Sequence, residues 1–117
     1  MNIAYVDDDY AGRELIAAVF QDAGHTVHQY SCPTHLGRKS EPLDLIVTDG
    51  HMGPYDWTRT MNEANLLYHG VPVIIYSADE ALVNTLQSSG LLALLKTGEP
   101  QHLVDLATTV LSVKKAE

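Results

Sequence analysis

One cysteine, one tryptophan, one phenylalanine and seven basic side chains are all that this 117-residue sequence has of those types. The lone thiol, Cys32, cannot close an internal disulfide, so the fold needs no oxidising compartment. Seven Lys and Arg against fifteen Asp and Glu give a formal charge of −8. That balance argues against a duplex nucleic-acid surface, which needs clustered cations to displace counterions, and against an anionic membrane surface. No apolar run approaches the roughly 20 residues of a membrane span. The opening segment Asn2–Val6 meets three aspartates at once, unlike a secretory leader, and a cytoplasmic protein is expected. No G-x-G-x-x-G follows that segment, against a dinucleotide site. His25 and His28 are three apart beside a strand, face opposite ways and lack a cysteine pattern, against zinc. Linkers, low-complexity tracts and internal repeats are also missing. With 45% apolar residues in one domain-sized chain, residues 1–117 are expected to share one core.

What is present is an alternation. Short apolar runs at Asn2–Val6, Thr26–Tyr30, Leu43–Thr48, Val71–Tyr76 and Leu91–Leu95 are separated by helix-length amphipathic stretches. Several runs show almost no polar interruption, as strands do when helices cover both faces of a parallel sheet. Thr26–Tyr30 is more polar and reads as an edge strand. Leu15, Ile16, Val19 and Phe20 form one apolar stripe, closed by Gly24. Trp57–His69 carries Met61, Ala64, Leu67 and Tyr68, with Gly70 behind it. Asp79 caps a helix over Glu80–Ser88 that Gly90 ends. Glu99–Lys114 is the longest helical stretch, with Leu103, Leu106, Val110 and Val113 inward and Lys114–Lys115 at the dipole-favoured end. Ser31–Ser40, with Pro33, Gly37 and a lone Leu36, predicts a short or irregular second helix. Five βα repeats give an α/β sandwich with right-handed crossovers.

In open parallel sheets, sites form at the carboxyl ends of strands. Here those ends carry Asp7-Asp8-Asp9, Asp49, Ser77 and Lys96. Two like charges about 4 Å apart repel by roughly 4 kcal/mol at an effective dielectric near 20. Asp7, Asp8 and Asp49 on one rim would therefore take up protons or bind a cation. All-oxygen ligands with room for water and phosphate suit Mg²⁺. A carboxylate beside such a cation can act as nucleophile towards phosphorus, with Lys96 and Ser77 meeting the phosphoryl oxygens. Asp9 is the exception and reads as a helix cap. Cys32, beside Pro33 and without a basic neighbour, is not set up as a nucleophile.

The motifs V-D-D-D (Val6–Asp9), L-I-V-T-D-G-H-M-G-P (Leu45–Pro54), P-V-I-I-Y-S-A (Pro72–Ala78) and L-L-K (Leu94–Lys96) resemble a response-regulator receiver domain of the chemotaxis-regulator type. The resemblance spans nearly the whole chain, in the family's order. It implies a flavodoxin-like (βα)5 three-layer sandwich with a five-stranded parallel sheet in the order 2-1-3-4-5. It implies Asp49 as phosphoacceptor and Asp7, Asp8 and Asp49 as the acids of the Mg²⁺ site, with Asp8 the more direct ligand of the acidic pair Asp7–Asp8. His51 matches the position whose backbone carbonyl completes the metal shell, Ser77 the hydroxyl that follows the phosphoryl group, and Lys96 its ammonium partner. Ala78 matches the small residue that keeps the pocket open, while His51 and Asp79 fall where members vary and tune dephosphorylation.

Three positions depart from the pattern. Ala93 stands where an aromatic usually swings inward, Thr97 where proline follows the lysine, and Met52-Gly53-Pro54 where the order is usually Met-Pro-Gly. The expected function is thus a signalling switch rather than an enzyme with a separate substrate. A sensor histidine kinase or histidine phosphotransfer protein would phosphorylate Asp49 with Mg²⁺. Output would go through a protein-binding surface of a monomer or weak homodimer, with no nucleic acid and no membrane involved. The flank of Leu91–Leu95 with Leu82, Leu86 and the last helix is the candidate contact face. The alternative is a pseudo-receiver, a phosphorylation-independent interaction or dimerisation module.

Overall fold

A computed structural model describes residues 1–38 and 42–116; residues 39–41 and 117, and the side chains of residues 114–116, lie outside the described residues. Five strands, β1 (Asn2–Val6), β2 (Thr26–Tyr30), β3 (Leu45–Asp49), β6 (Val73–Ser77) and β7 (Ala93–Leu95), form one parallel sheet in the order β2-β1-β3-β6-β7. Leaving aside a small hairpin described below, that is the expected order 2-1-3-4-5. The flanking helices are α1 (Tyr10–Asp22), α2 (Trp57–Leu67), α3 (Glu80–Ser88) and α4 (Gln101–Ala116), with a 3₁₀ turn over Pro33–Arg38 as the irregular second helix. The last three expected strands begin two residues late, at Leu45, Val73 and Ala93, although Pro72 and Leu92 already feed the ladder through their carbonyls, which accept from the Ile46 amide (3.0 Å) and the Ile75 amide (2.9 Å).

The continuous apolar runs have their expected cause. Ile3, Ala4, Tyr5 and Val6 are fully buried, as are Leu45, Ile46 and Val47 in the next strand. Odd positions of β1 pack with Ile16, Phe20, Leu103, Ala107 and Leu111 under α1 and α4. Even positions pack with Leu36, Met52 and Ala64 under the 3₁₀ turn and α2, and Ile75 packs with Val83, Leu86 and Ala93 under α3. Each such side chain contributes roughly 1.5–3 kcal/mol by leaving water, enough to hold the sheet between two helical layers.

Several stripes are rotated from expectation. In α4 the inward row is Leu103, Val104, Ala107 and Leu111, while Val113 is exposed and Leu106 and Val110 are half-buried. The 103–107–111 row follows four-residue spacing, so the stripe drifts away from 113. Leu15 of α1 and Leu67 of α2 also face outward, and Thr60 takes the buried place on α2 beside Ala64. Leu86 is buried in the core under α3, so it is not part of an exposed flank of β7.

One element was absent from the expected set. His51–Met52 (β4) pairs antiparallel with Tyr55–Asp56 (β5) around Gly53, whose φ of +61° favours a residue without Cβ. This hairpin follows Asp49 directly and hands the chain to α2, where Asp56 is the N-cap.

Candidate functional site

Asp7 follows β1, and β1 lies beside both β2 and β3, so its backbone is held from two sides. Its amide donates to the Tyr30 carbonyl (3.0 Å), and its own carbonyl accepts from Arg13 Nη1 (2.7 Å). Asp7 is 1% exposed. Its Oδ1 accepts from the Asp9 amide at 2.9 Å, while Oδ2 accepts from Lys96 Nζ at 3.1 Å and from Tyr5 Oη at 2.9 Å. Asp9 itself caps α1 through the Gly12 amide, as its cap reading anticipated.

Asp49 ends β3, in register with Tyr76 on β6, which sets Ser77 beyond it on the neighbouring strand. Asp49 Oδ1 accepts from the Gly50 amide (2.7 Å) and pairs with Lys96 Nζ (3.2 Å). Lys96 follows β7 and its amide donates to the Ser77 carbonyl at 2.8 Å, so the ammonium arrives from the strand beyond. One ammonium therefore serves two carboxylates. Burial, then the Asp7 charge, lift the Asp49 carboxyl above the ordinary aspartate value against the pull of Lys96. For Lys96, burial works against the charge, but Asp7 and Asp49 outweigh it and the amine titrates above the ordinary lysine value.

Asp8 stands exposed at the same rim, and carboxylate oxygens of Asp7, Asp8 and Asp49 lie within 4.8 Å of one another. Three acids thus stand close together while the one ammonium pairs with two of them, which leaves a net negative pocket of oxygen donors. That donor set fits a hard divalent cation such as Mg²⁺. Room beside it is kept by Gly50: a Cβ there would stand 2.9 Å from Ser77 Oγ and 2.8 Å from Leu82 Cδ2. Ser77 is 2% exposed, and its Oγ accepts from the Asp79 amide at 3.1 Å. The hydroxyl thus takes part in the turn into α3 and faces the space that Gly50 leaves open.

His51 contributes an exposed side chain, whose Nε2 lies 3.0 Å from Asp79 Oδ2. The Asp79 carboxyl is drawn below its ordinary value by the Leu82 amide that it caps, then by His51. Behind the rim, buried Thr48 bonds Thr60 (2.9 Å between hydroxyls) and the Asp49 carbonyl (2.9 Å), fastening the end of β3 to α2. Ala93 is 6% exposed, and its carbonyl accepts from Gln87 Nε2 at 2.9 Å. After Lys96 the chain turns at Gly98, with φ of +83°.

The strand-end residues predicted from sequence, Asp7, Asp8, Asp49, Ser77 and Lys96, come together on one rim. Tyr5 belongs to the same network and was missed. Side chains two apart on a strand share a face, so a hydroxyl two positions before Asp7 was the available signal.

No protein-family model and no curated protein sequence matches the chain. Solved structures do. The response regulator TrrA of Thermotoga maritima, in complex with Mg²⁺-BeF, matches with a TM-score of 0.81 at 20% identity, over 93% of this chain and 97% of that one. A response regulator receiver domain protein from Clostridium thermocellum matches with a TM-score of 0.82 at 20% identity, over 98% and 97%. The chemotaxis protein CheY4 of Vibrio cholerae matches with a TM-score of 0.78 at 18% identity, over 93% and 97%. At such identities the likeness is one of fold: the architecture is that of response-regulator receiver domains, along almost the whole chain.

Proposed function

We propose that this chain is a phosphoacceptor receiver in a two-component or phosphorelay system, with Asp49 as the residue phosphorylated. The observation that carries the reading is the pairing of one ammonium, Lys96, with two carboxylates, Asp7 and Asp49, beside a third, Asp8. A site with three carboxylates and one ammonium, short of two positive charges, open at Asp8 and backed by Ser77, has the complement that a divalent cation and a phosphoryl group would complete. Asp8, Asp49 and the backbone carbonyl of His51 would hold Mg²⁺, with Asp7 behind them. When bound, Mg²⁺ supplies positive charge to non-bridging phosphoryl oxygens.

The chain's own residues do the rest. An Asp49 carboxylate oxygen attacks phosphorus as the bond to the donor's leaving group breaks, and the leaving group departs with the electron pair. Lys96 passes from the Asp49 carboxylate to the new phosphoryl oxygens, and Ser77 Oγ donates a hydrogen bond to them. The added dianion is the switch. Reversing such a switch takes roughly 5 kcal/mol of differential stabilisation, which several charge-assisted hydrogen bonds in a half-buried pocket can supply. The phosphoryl donor would be a sensor histidine kinase or histidine phosphotransfer protein, and the output a downstream protein. A cytoplasmic location fits both, and among the described residues no helix is long and apolar enough to cross a membrane.

Incubation with acetyl phosphate and Mg²⁺, followed by intact mass, is expected to add one phosphoryl group that Asp49→Asn abolishes. An unmodified parent protein sinks the proposal.

Ala93 favours a second reading, a module that binds its partner regardless of phosphorylation, because its methyl group cannot act as a moving aromatic switch. Mg²⁺ titration separates the two. Trp57, whose amide donates to the Gly50 carbonyl at 3.1 Å, is expected to change fluorescence in an active receiver and to stay flat in an idle one.

A further inference from the structure

Tyr5 is fully buried, yet its hydroxyl reaches the most crowded oxygen of the site. A carboxylate has about four acceptor positions. Asp7 has three of them filled by protein donors: Tyr5 Oη and Lys96 Nζ on Oδ2, and the Asp9 amide on Oδ1. At 1% exposure, Asp7 has no bulk water to make up a missing donor. We propose that Tyr5 is a positioning residue of this site, whose hydroxyl shares Oδ2 of Asp7 with Lys96 and keeps that oxygen turned to the ammonium and away from the cation.

The inference rests on the phosphoacceptor reading and adds a division of labour to it. Asp7 is the counter-charge that aims Lys96, and the cation takes its direct oxygens from Asp8 and Asp49. A phenol suits the task because it donates a hydrogen bond without adding a positive charge that would repel Mg²⁺. On the same side, a cavity of about 180 Å³ lined by Tyr5, Asp7, Gly12, Tyr76 and Lys96 gives the Asp7–Lys96 pair space to rearrange once the hydroxyl is lost.

The test is Tyr5→Phe in the full chain. The ring keeps its place in the core, and Asp7 keeps Lys96 and the Asp9 amide, so the variant is expected to fold; a thermal melt checks this. Losing a hydrogen bond to a charged group is worth roughly ten- to a hundredfold in each readout. Mg²⁺ affinity, from backbone-amide NMR titration, is expected to tighten by that factor. Phosphorylation by acetyl phosphate at saturating Mg²⁺ is expected to slow by a similar factor. A merely loosened pocket weakens both, so opposite signs mark positioning. In an Asp7→Asn background the same substitution is expected to change neither. A Tyr5→Phe protein equal to the parent, one that moves both readouts the same way, or one that keeps its full effect without Asp7 overturns the inference. A parent that binds Mg²⁺ but takes up no phosphoryl group overturns the phosphoacceptor reading instead, and the Mg²⁺ comparison with its Asp7→Asn control still decides Tyr5. A parent that does neither overturns both.

Discussion

His51 and Asp79, each two residues beyond a site residue (Asp49 and Ser77), meet with Nε2 to Oδ2 at 3.0 Å and tie the β4–β5 hairpin to the N-cap of α3. Both side chains are exposed, 64% and 43%, so solvent screens the pair and it adds little to stability. It links the segment just after Asp49 to the segment just after Ser77.

His51→Ala is therefore expected to leave the melting temperature within about 2 °C of the parent. Mg²⁺ affinity is expected to stay within about twofold, since the proposed metal ligand at this position is the carbonyl, which alanine retains. A loss of more than tenfold would assign ligation to the imidazole instead. With the link between the two segments cut, the phosphorylated protein is expected to lose its phosphoryl group at a different rate, read by intact mass over time.

Asp49→Asn is expected to stabilise the protein at neutral pH. The Asp49 carboxyl sits above its unfolded value of 3.8 because of burial first and Asp7 second. The native state thus holds a proton that the unfolded state has released, so this group's contribution falls as pH rises from about 4 through the native value. Asparagine removes the titration. Its melting temperature is expected to exceed the parent's by a few degrees at pH 7, with the gap closing below pH 4. A gap of equal size at both pH values would contradict the electrostatic cause.

Gly50→Ala places a methyl group 2.9 Å from Ser77 Oγ and 2.8 Å from Leu82 Cδ2. Both neighbours are held, Ser77 by the turn into α3 and Leu82 within that helix. The expected cost is about 1–3 kcal/mol by urea melt. Phosphorylation is expected to suffer more than stability, because the displaced atom is the hydroxyl that would follow the phosphoryl group.

Thr48→Val is expected to cost about 1–2 kcal/mol, more than Thr60→Val. The Thr48 hydroxyl joins both the Asp49 carbonyl and Thr60, whereas replacing Thr60 leaves Thr48 its carbonyl partner. The double variant is expected to cost less than the sum of the singles in denaturant melts, which measures the coupling between the two buried hydroxyls.

The legibility of this fold follows from what each signal depends on. Val6–Asp9, Leu45–Asp49 and Pro72–Ser77 were readable because a strand buried on both faces is largely apolar until it ends, and, apart from the buried Thr48, the first short polar residue then marks the rim. Hence Asp7, Asp8, Asp49, Ser77 and Lys96 were found together. His51–Met52 and Tyr55–Asp56 are too short for alternation to register, and only Gly53-Pro54 hinted at their turn. The outward Leu15 and Val113 show the limit of counting stripes. Where α1 and α4 cover a narrow five-stranded sheet, which row faces inward depends on neighbours that the helix's own sequence does not contain. Tyr5 looked like one more apolar core residue, because its hydroxyl matters only once Asp7 is known to be buried beside it.

The bond between Lys96 and Asp7 joins positions 89 apart. During synthesis on a ribosome, the first strand emerges with its acids long before the amine that balances them has been made. Any partly built chain that packs β1 against β3 brings Asp7 and Asp49 together with no counter-charge between them. The pocket can settle only after β7 docks at the far side of the sheet, so a truncated product ending before residue 96 should be left with an unbalanced acidic seam, exposed to degradation.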